Sequence, residues 1–210
     1  MSEREEKIME AAEELLAEQF EKSSAETVLI CEQKGSQLAE SFLEALGKVF
    51  EKEITGKGEE HGGEVQYLLF SCLHSSIFLK RYLIQIELMG KEMYGSEPLA
   101  AASWDAGDIY GLFERDVEEL KGMVRKRVPR IREYETDYIR YVYAPYYHRM
   151  AKAFIREMLG AVLEGRQVSS GDRQGETKMR ILFGEYMGEA DVLFTVERER
   201  FYEIFQDICG

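Results

Sequence analysis

The sequence predicts an α+β fold, mainly helical, with five to six helices and a small antiparallel sheet formed by residues about 82–94 and 178–197. Three observations lead there. Apolar residues recur at helical spacing over most of the chain; the period changes to alternation at Tyr82–Met89; and a second alternating run near the end is folded about Met187-Gly188-Glu189. With 210 residues, 45% of them hydrophobic, the chain is large enough to bury a core. It reads as a single domain over 1–210, with an N-terminal helical pair in 1–54 and a helical core plus sheet in 64–210.

Ser2 and Glu5 have capping-box spacing, and Ile8, Ala11, Ala12, Leu15, Leu16 and Gln19 follow at helical intervals. The first helix is expected over 3–21. Ser23 and Glu26 repeat the capping spacing, so the chain is expected to break there and restart as a second helix, interrupted at Gly35, with Leu38, Phe42, Leu46, Val49 and Phe50 as its stripe. The two would form an antiparallel pair. Residues 55–63 hold four glycines and no apolar side chain, a loop composition. Val65, Leu68, Leu69, Cys72, Leu73, Ser76 and Ile77 keep the helical repeat and predict a buried helix.

From Tyr82 the alternation predicts a strand, turning at Gly90-Lys91 into a short partner at Met93-Tyr94. Asp105 is placed to cap a helix carrying Ile109, Leu112, Phe113, Val117, Leu120 and Val124, which Pro129 ends or kinks. A long helix over 136–164 contains Pro145, which either kinks it or opens a new one. Residues 165–177 read as a loop, 179–186 and 192–196 as a hairpin, and 199–208 as a closing helix. Two strands alone are marginal in water, so both strand regions are expected to share one sheet.

Charge narrows the function. The net charge is −13, yet residues 121–132 carry six cations and no acid. Nucleic-acid affinity rests on neutralised phosphates, so a chain acidic nearly everywhere else is a poor candidate for it unless this segment supplies the contact. Arg125, Lys126, Arg127, Arg130 and Arg132 are therefore the candidate anion-binding residues; the competing reading pairs them with the acidic N-terminal helices and the helix dipole. A second cluster runs through Tyr134, Tyr138, Tyr141, Tyr143, Tyr146 and Tyr147 to His148 and Arg149. Tyrosine and histidine can position or protonate a ligand, which makes Tyr143, Tyr147, His148 and Arg149 the candidate ligand-binding residues. The competing reading buries the rings in the core.

Other chemistry lacks its pattern. The three histidines are scattered, with no His-x-x-x-His, Glu-x-x-His or Cys-x-x-Cys, so no metal is expected. Neither phosphate-binding glycine motif occurs, Gly-x-Ser-x-Gly is missing, and no cofactor or catalytic residue is assigned. Three cysteines, an odd number without close spacing, the lack of a secretory start and of a spanning apolar stretch predict a cytoplasmic protein outside the membrane. The opening run Arg4 to Phe20 resembles the first helix of TetR-type transcriptional regulators. That resemblance covers residues 4–20 alone; at Gln33–Leu38 no Gly-x-Leu-Tyr-x-x-Phe pattern follows, and Glu40 and Glu44 stand where phosphates would lie. The leading expectation is a non-catalytic interaction or adaptor protein working through a helical surface, with a protein partner or by self-association through its N-terminal helices. A ligand-responsive DNA-binding regulator and an enzyme with a Tyr/His-lined pocket are the alternatives.

Overall fold

A computed structural model describes residues 3–55, 64–164 and 178–209. The glycine-rich stretch over 56–63 and the segment 165–177, both expected as loops, lie outside the described residues. The fold is α+β. Along the chain run α1 (Glu3–Gln33), α2 (Gly35–Thr55), β1 (Tyr67–Cys72), α3 (His74–Phe78), β2 (Leu83–Met89), β3 (Ala100–Asp105), α4 (Phe113–Arg127), α5 (Tyr138–Glu164), β4 (Lys178–Glu185), β5 (Ala190–Glu197) and α6 (Arg198–Cys209). Short 3-10 turns at Met93–Gly95 and Glu133–Thr136 join neighbouring elements. The chain divides into two compact units. The first takes the chain up to Leu38 with His74–Tyr82 and Ala106–Ala151; the second takes Ala39–Leu73, Leu83–Asp105 and the chain from Lys152 onward.

In the first unit α1 runs through the expected break. Ser23 is buried inside the helix and donates its hydroxyl to Asp116 of α4 at 2.6 Å, so what looks like a cap in sequence is a tertiary contact. The interruption comes at Lys34, whose amide bonds Ile30 O at 3.0 Å and whose carbonyl accepts from Leu38 at 2.9 Å. The helix expected from Asp105 begins at Phe113 instead, with Asp105 closing β3 and residues 106–112 in turns. Val128 is extended ahead of Pro129, as the proline ring requires, and α4 stops there. Pro145 lies within α5 and does not start it. Leu15, Leu16, Phe113, Val117, Leu120, Val124, Ile139 and Tyr143 are buried in this unit.

The second unit is built on a five-stranded sheet of order β3-β2-β1-β4-β5. β1 pairs antiparallel with β2 and parallel with β4, so the sheet is mixed where an antiparallel one was expected. β1 itself falls in the segment expected as a helix. A central strand buried on both faces shows a continuous apolar run, here Tyr-Leu-Leu-Phe-Ser-Cys, whose spacing does not distinguish strand from helix. On its other edge β2 pairs with β3, and the expected partner Met93-Tyr94 lies in the turn between them. β3 opens with three alanines, a residue type depleted in strands, which hid it. The hairpin of β4 and β5 and the closing helix α6 stand as expected. On one face of the sheet, Phe70 and Trp104 meet Phe42 of α2 at 5.8 and 5.1 Å between ring centroids, and Phe154 stacks on Trp104 at 5.5 Å. Phe50 of α2 stacks on Phe205 of α6 at 5.0 Å.

Candidate functional site

Within the first unit, α3 and the start of α5 form the two walls of an open groove of about 630 Å³. His74, Ser75 and Phe78 come from α3, while Tyr138, Tyr141 and Val142 come from α5. On α5 these positions are i, i+3 and i+4, one helical face; on α3, His74 and Phe78 are i and i+4. His74 stacks on Tyr141 with ring centroids 5.6 Å apart and planes within 18°. Phe78 is 66% exposed and Tyr138 51%, and the next residue, Leu79, is exposed as well.

The wall carrying Phe78 is fixed from behind. α3 ends in a paired closure in which Lys80 N–H donates to Ile77 O at 3.3 Å and Arg81 N–H to Ser76 O at 3.0 Å. That closure puts Lys80 in the left-handed region at φ 55°, a position glycine fills most easily. Tyr82 is also left-handed, at φ 50°. Both residues are tied to Glu114 of α4. The Tyr82 hydroxyl donates to Glu114 Oε1, and Lys80 Nζ stands 2.9 Å from Oε2. Arg140 of α5 closes a two-point bond on the same carboxylate, through Nη1 on Oε1 and Nη2 on Oε2 at 2.7 Å, and its Nη1 also reaches Ile77 O at 3.4 Å. Burial alone would raise the Glu114 pKa; hydrogen bonds from Arg140, Tyr82 and Lys80 overcome that and bring it down to about 2. Burial and the bond to this carboxylate hold the Tyr82 phenol well above the ordinary tyrosine range. Glu114 thus pins both walls of the groove.

The residues singled out from sequence fall elsewhere. Tyr143 and Tyr147 are fully buried and donate to one carboxylate oxygen, Asp116 Oδ2, at 2.8 and 2.7 Å. Ser23 and Gln19 reach Oδ1 at 2.6 and 3.2 Å. Burial, then donation to Asp116, holds both phenols far above the usual tyrosine range, which removes them as bases near neutral pH. His148 is half-buried beside Tyr110, and exposed Arg149 lies 4.5 Å over the Tyr146 ring. The structure therefore gathers Tyr143 and Tyr147 round Asp116, while the open surface of α5 is the face of Tyr138 and Tyr141.

Arg125, Lys126, Arg127, Arg130 and Arg132 are all exposed. Arg127 pairs with Glu14 of α1 at 2.6 Å. The turn after α4 is held by Arg4, which donates to Arg130 O at 2.7 Å, and by the Arg132 amide on Glu135 Oε2 at 2.6 Å. Within the segment Arg127 is thus paired with the acidic first helix. Among the described residues no group of three or more His, Cys, Asp or Glu side chains is disposed to hold a metal ion, and no helix is long and apolar enough to cross a membrane. Sequence reasoning reached the tyrosine segment but not the groove. Its signal was the pairing of His74 and Phe78 one turn apart with Tyr138 and Tyr141, which needed α3 to be seen as a helix separate from β1.

Comparison with family models, with curated proteins and with solved structures gives no match.

Proposed function

We propose that this chain is a non-catalytic interaction protein that receives an apolar segment of a protein partner in the groove between α3 and α5. The observation that carries the reading is the exposure of Phe78, Leu79 and Tyr138 beside a His74–Tyr141 stack on walls pinned by one part-buried network. Aromatic side chains bring large contact area with few rotatable bonds, so a groove already held in shape loses little entropy on binding. Aromatic-lined grooves of this kind take extended or proline-bearing segments, or one face of an amphipathic helix. Cys31 and Cys72 are thiols outside any disulfide, which supports a cytoplasmic setting.

The test is a titration of the 15N-labelled protein with a panel of short proline-containing and amphipathic peptides. Shift changes centred on His74–Leu79 and Tyr138–Val142, abolished by Phe78→Ser and by Tyr141→Ala, are the expected result. A peptide that binds with the groove signals unmoved, or turnover of a small-molecule panel by the wild-type protein, would overturn it. The second reading, a nucleic-acid-binding regulator, draws on the exposed Arg125, Lys126, Arg130 and Arg132. It requires a gel shift that weakens steeply with salt.

A further inference from the structure

The groove between α3 and α5 has a charged lip whose charges do not balance. The segment His74–Tyr82, which supplies one wall and its closure, carries Lys80 and Arg81 and no acid, in a chain whose net charge is −13. Lys80 is 59% exposed and stands 2.9 Å from Glu114 Oε2, yet Arg140 already holds that carboxylate at two points. One negative charge meets two cations, so the network keeps a positive charge at the end of α3. Arg81 adds a second: it is exposed, and among the described residues no carboxylate pairs with its guanidinium. The opposite lip differs. There Asp137, next to Tyr138, pairs with Lys121 at 3.0 Å, and Lys121 also stands 3.6 Å from Glu118. At physiological salt, charges farther off than about 8 Å are largely screened, so the α3 lip presents its own positive sign despite the acidic chain.

Length narrows the occupant further. His74 and Phe78 lie about 6 Å apart along their helix axis, as do Tyr138 and Val142 along theirs. A helix that docks through residues i, i+4 and i+7 needs about 10 Å of wall, whereas about two residues of extended chain cover 6 Å. The groove therefore suits one large apolar side chain of an extended segment, whose next residues pass the end of α3 where Lys80 and Arg81 stand. Resting on the reading of the groove as a docking site, we propose that its partner is an acidic linear segment. One aromatic or leucine side chain seats against Phe78, Tyr138 and Tyr141, and carboxylates within about three residues of it meet the α3 lip. Arg81 offers a planar fork to one carboxylate, and Lys80 meets another as a point charge. The hydroxyl of exposed Tyr138 is a further donor for a carboxylate oxygen. A basic segment would set like charges against each other on this lip, which selects against it.

The experiment titrates the full 15N-labelled chain with three short, end-blocked peptides that share a leucine-phenylalanine centre, flanked on both sides by glutamates, by glutamines or by lysines. The glutamate peptide should move the signals of His74–Leu79 and Tyr138–Val142 and bind roughly five- to twenty-fold tighter than the glutamine peptide at low salt, with the lysine peptide weakest. Raising sodium chloride to about 0.5 M should remove most of that gap. Arg81→Glu, on the surface and outside the Glu114 network, should weaken the glutamate peptide roughly ten-fold and strengthen the lysine peptide. Equal affinity for all three peptides, a preference for glutamate that ignores salt, or one unchanged in folded Arg81→Glu would overturn the acidic partner and leave the docking groove standing. Groove signals unmoved by the glutamate peptide would overturn it too; whether the other two peptides, or the proline-containing and amphipathic panel, still move them decides if the docking reading falls with it. Binding of the glutamate peptide that survives Phe78→Ser and moves Arg125–Arg132 instead would place the contact on the basic segment and count against the proposal. The wild-type order of affinities and its salt dependence need no variant, so the test holds even if Arg81→Glu fails to fold.

Discussion

A carboxylate shut away from water keeps its place only if donors replace its hydration, and Asp116 shows how completely this can be done. With 0% exposure it accepts from Gln19, Ser23, Tyr143 and Tyr147, residues of α1 and α5 brought to α4. In sequence each of these has a local explanation: Ser23 a helix cap, the tyrosines a pocket, Asp116 a favourable charge in the first turn of α4. None of them predicts the shared partner, because the contacts span 27 to 97 residues along the chain. Asp116→Asn replaces one acceptor oxygen by an NH₂ that faces hydroxyls already committed as donors. We expect a loss of about 3–5 kcal/mol in urea unfolding, the range for breaking a buried charged network. Tyr143→Phe, which leaves the other three donors, should cost about 1.5–3 kcal/mol. A loss below 1 kcal/mol for Asp116→Asn would show that these bonds do not hold α1 and α5 to α4.

At the scale of elements, what could be read depended on whether the local pattern and the final environment agreed. The β4–β5 hairpin alternates and turns where its sequence says, and α5 keeps a helical repeat across Pro145 because the proline is exposed there. β1 was hidden by burial on both faces and β3 by its alanines, so the mixed sheet was out of reach. The groove was half legible for a related reason: the tyrosines of α5 were visible as a group, but which of its faces stayed open depends on Asp116. One position in the hairpin makes an element-scale prediction. A Cβ on Gly184 would press on the Glu189 carbonyl oxygen and stand 2.7 Å from Ala190 Cα, both backbone atoms of the facing strand end. Gly184→Ala should therefore cost about 1–3 kcal/mol and displace the β4–β5 register. Cross-strand amide contacts between residues 184 and 190 check it, and a variant that keeps both register and stability would show that the strand end yields freely.

For the molecule as a whole, pH pulls the two units in opposite directions. In the first, Glu114 has its pKa lowered from 4.5 to about 2, since the bonds from Arg140, Tyr82 and Lys80 outweigh burial. A depressed carboxylate contributes stability that is present above pH 4.5 and lost as pH falls through about 2. The Glu114 side chain is one-third exposed, so screening by solvent trims the contribution to about 1–2 kcal/mol. In the second, burial raises the Glu87 pKa, and the sign reverses: its contribution is complete below the ordinary carboxylate range and is lost as pH rises through the raised value. Urea unfolding between pH 2 and 8 in sodium chloride should then show two limbs. Glu114→Gln should flatten the acid limb and leave the other. Glu87→Gln should lift stability toward neutral pH, most clearly in the fluorescence of Trp104, the single tryptophan, which lies in the same unit as Glu87. A wild-type profile unchanged by both substitutions would mean that neither carboxylate couples protonation to folding.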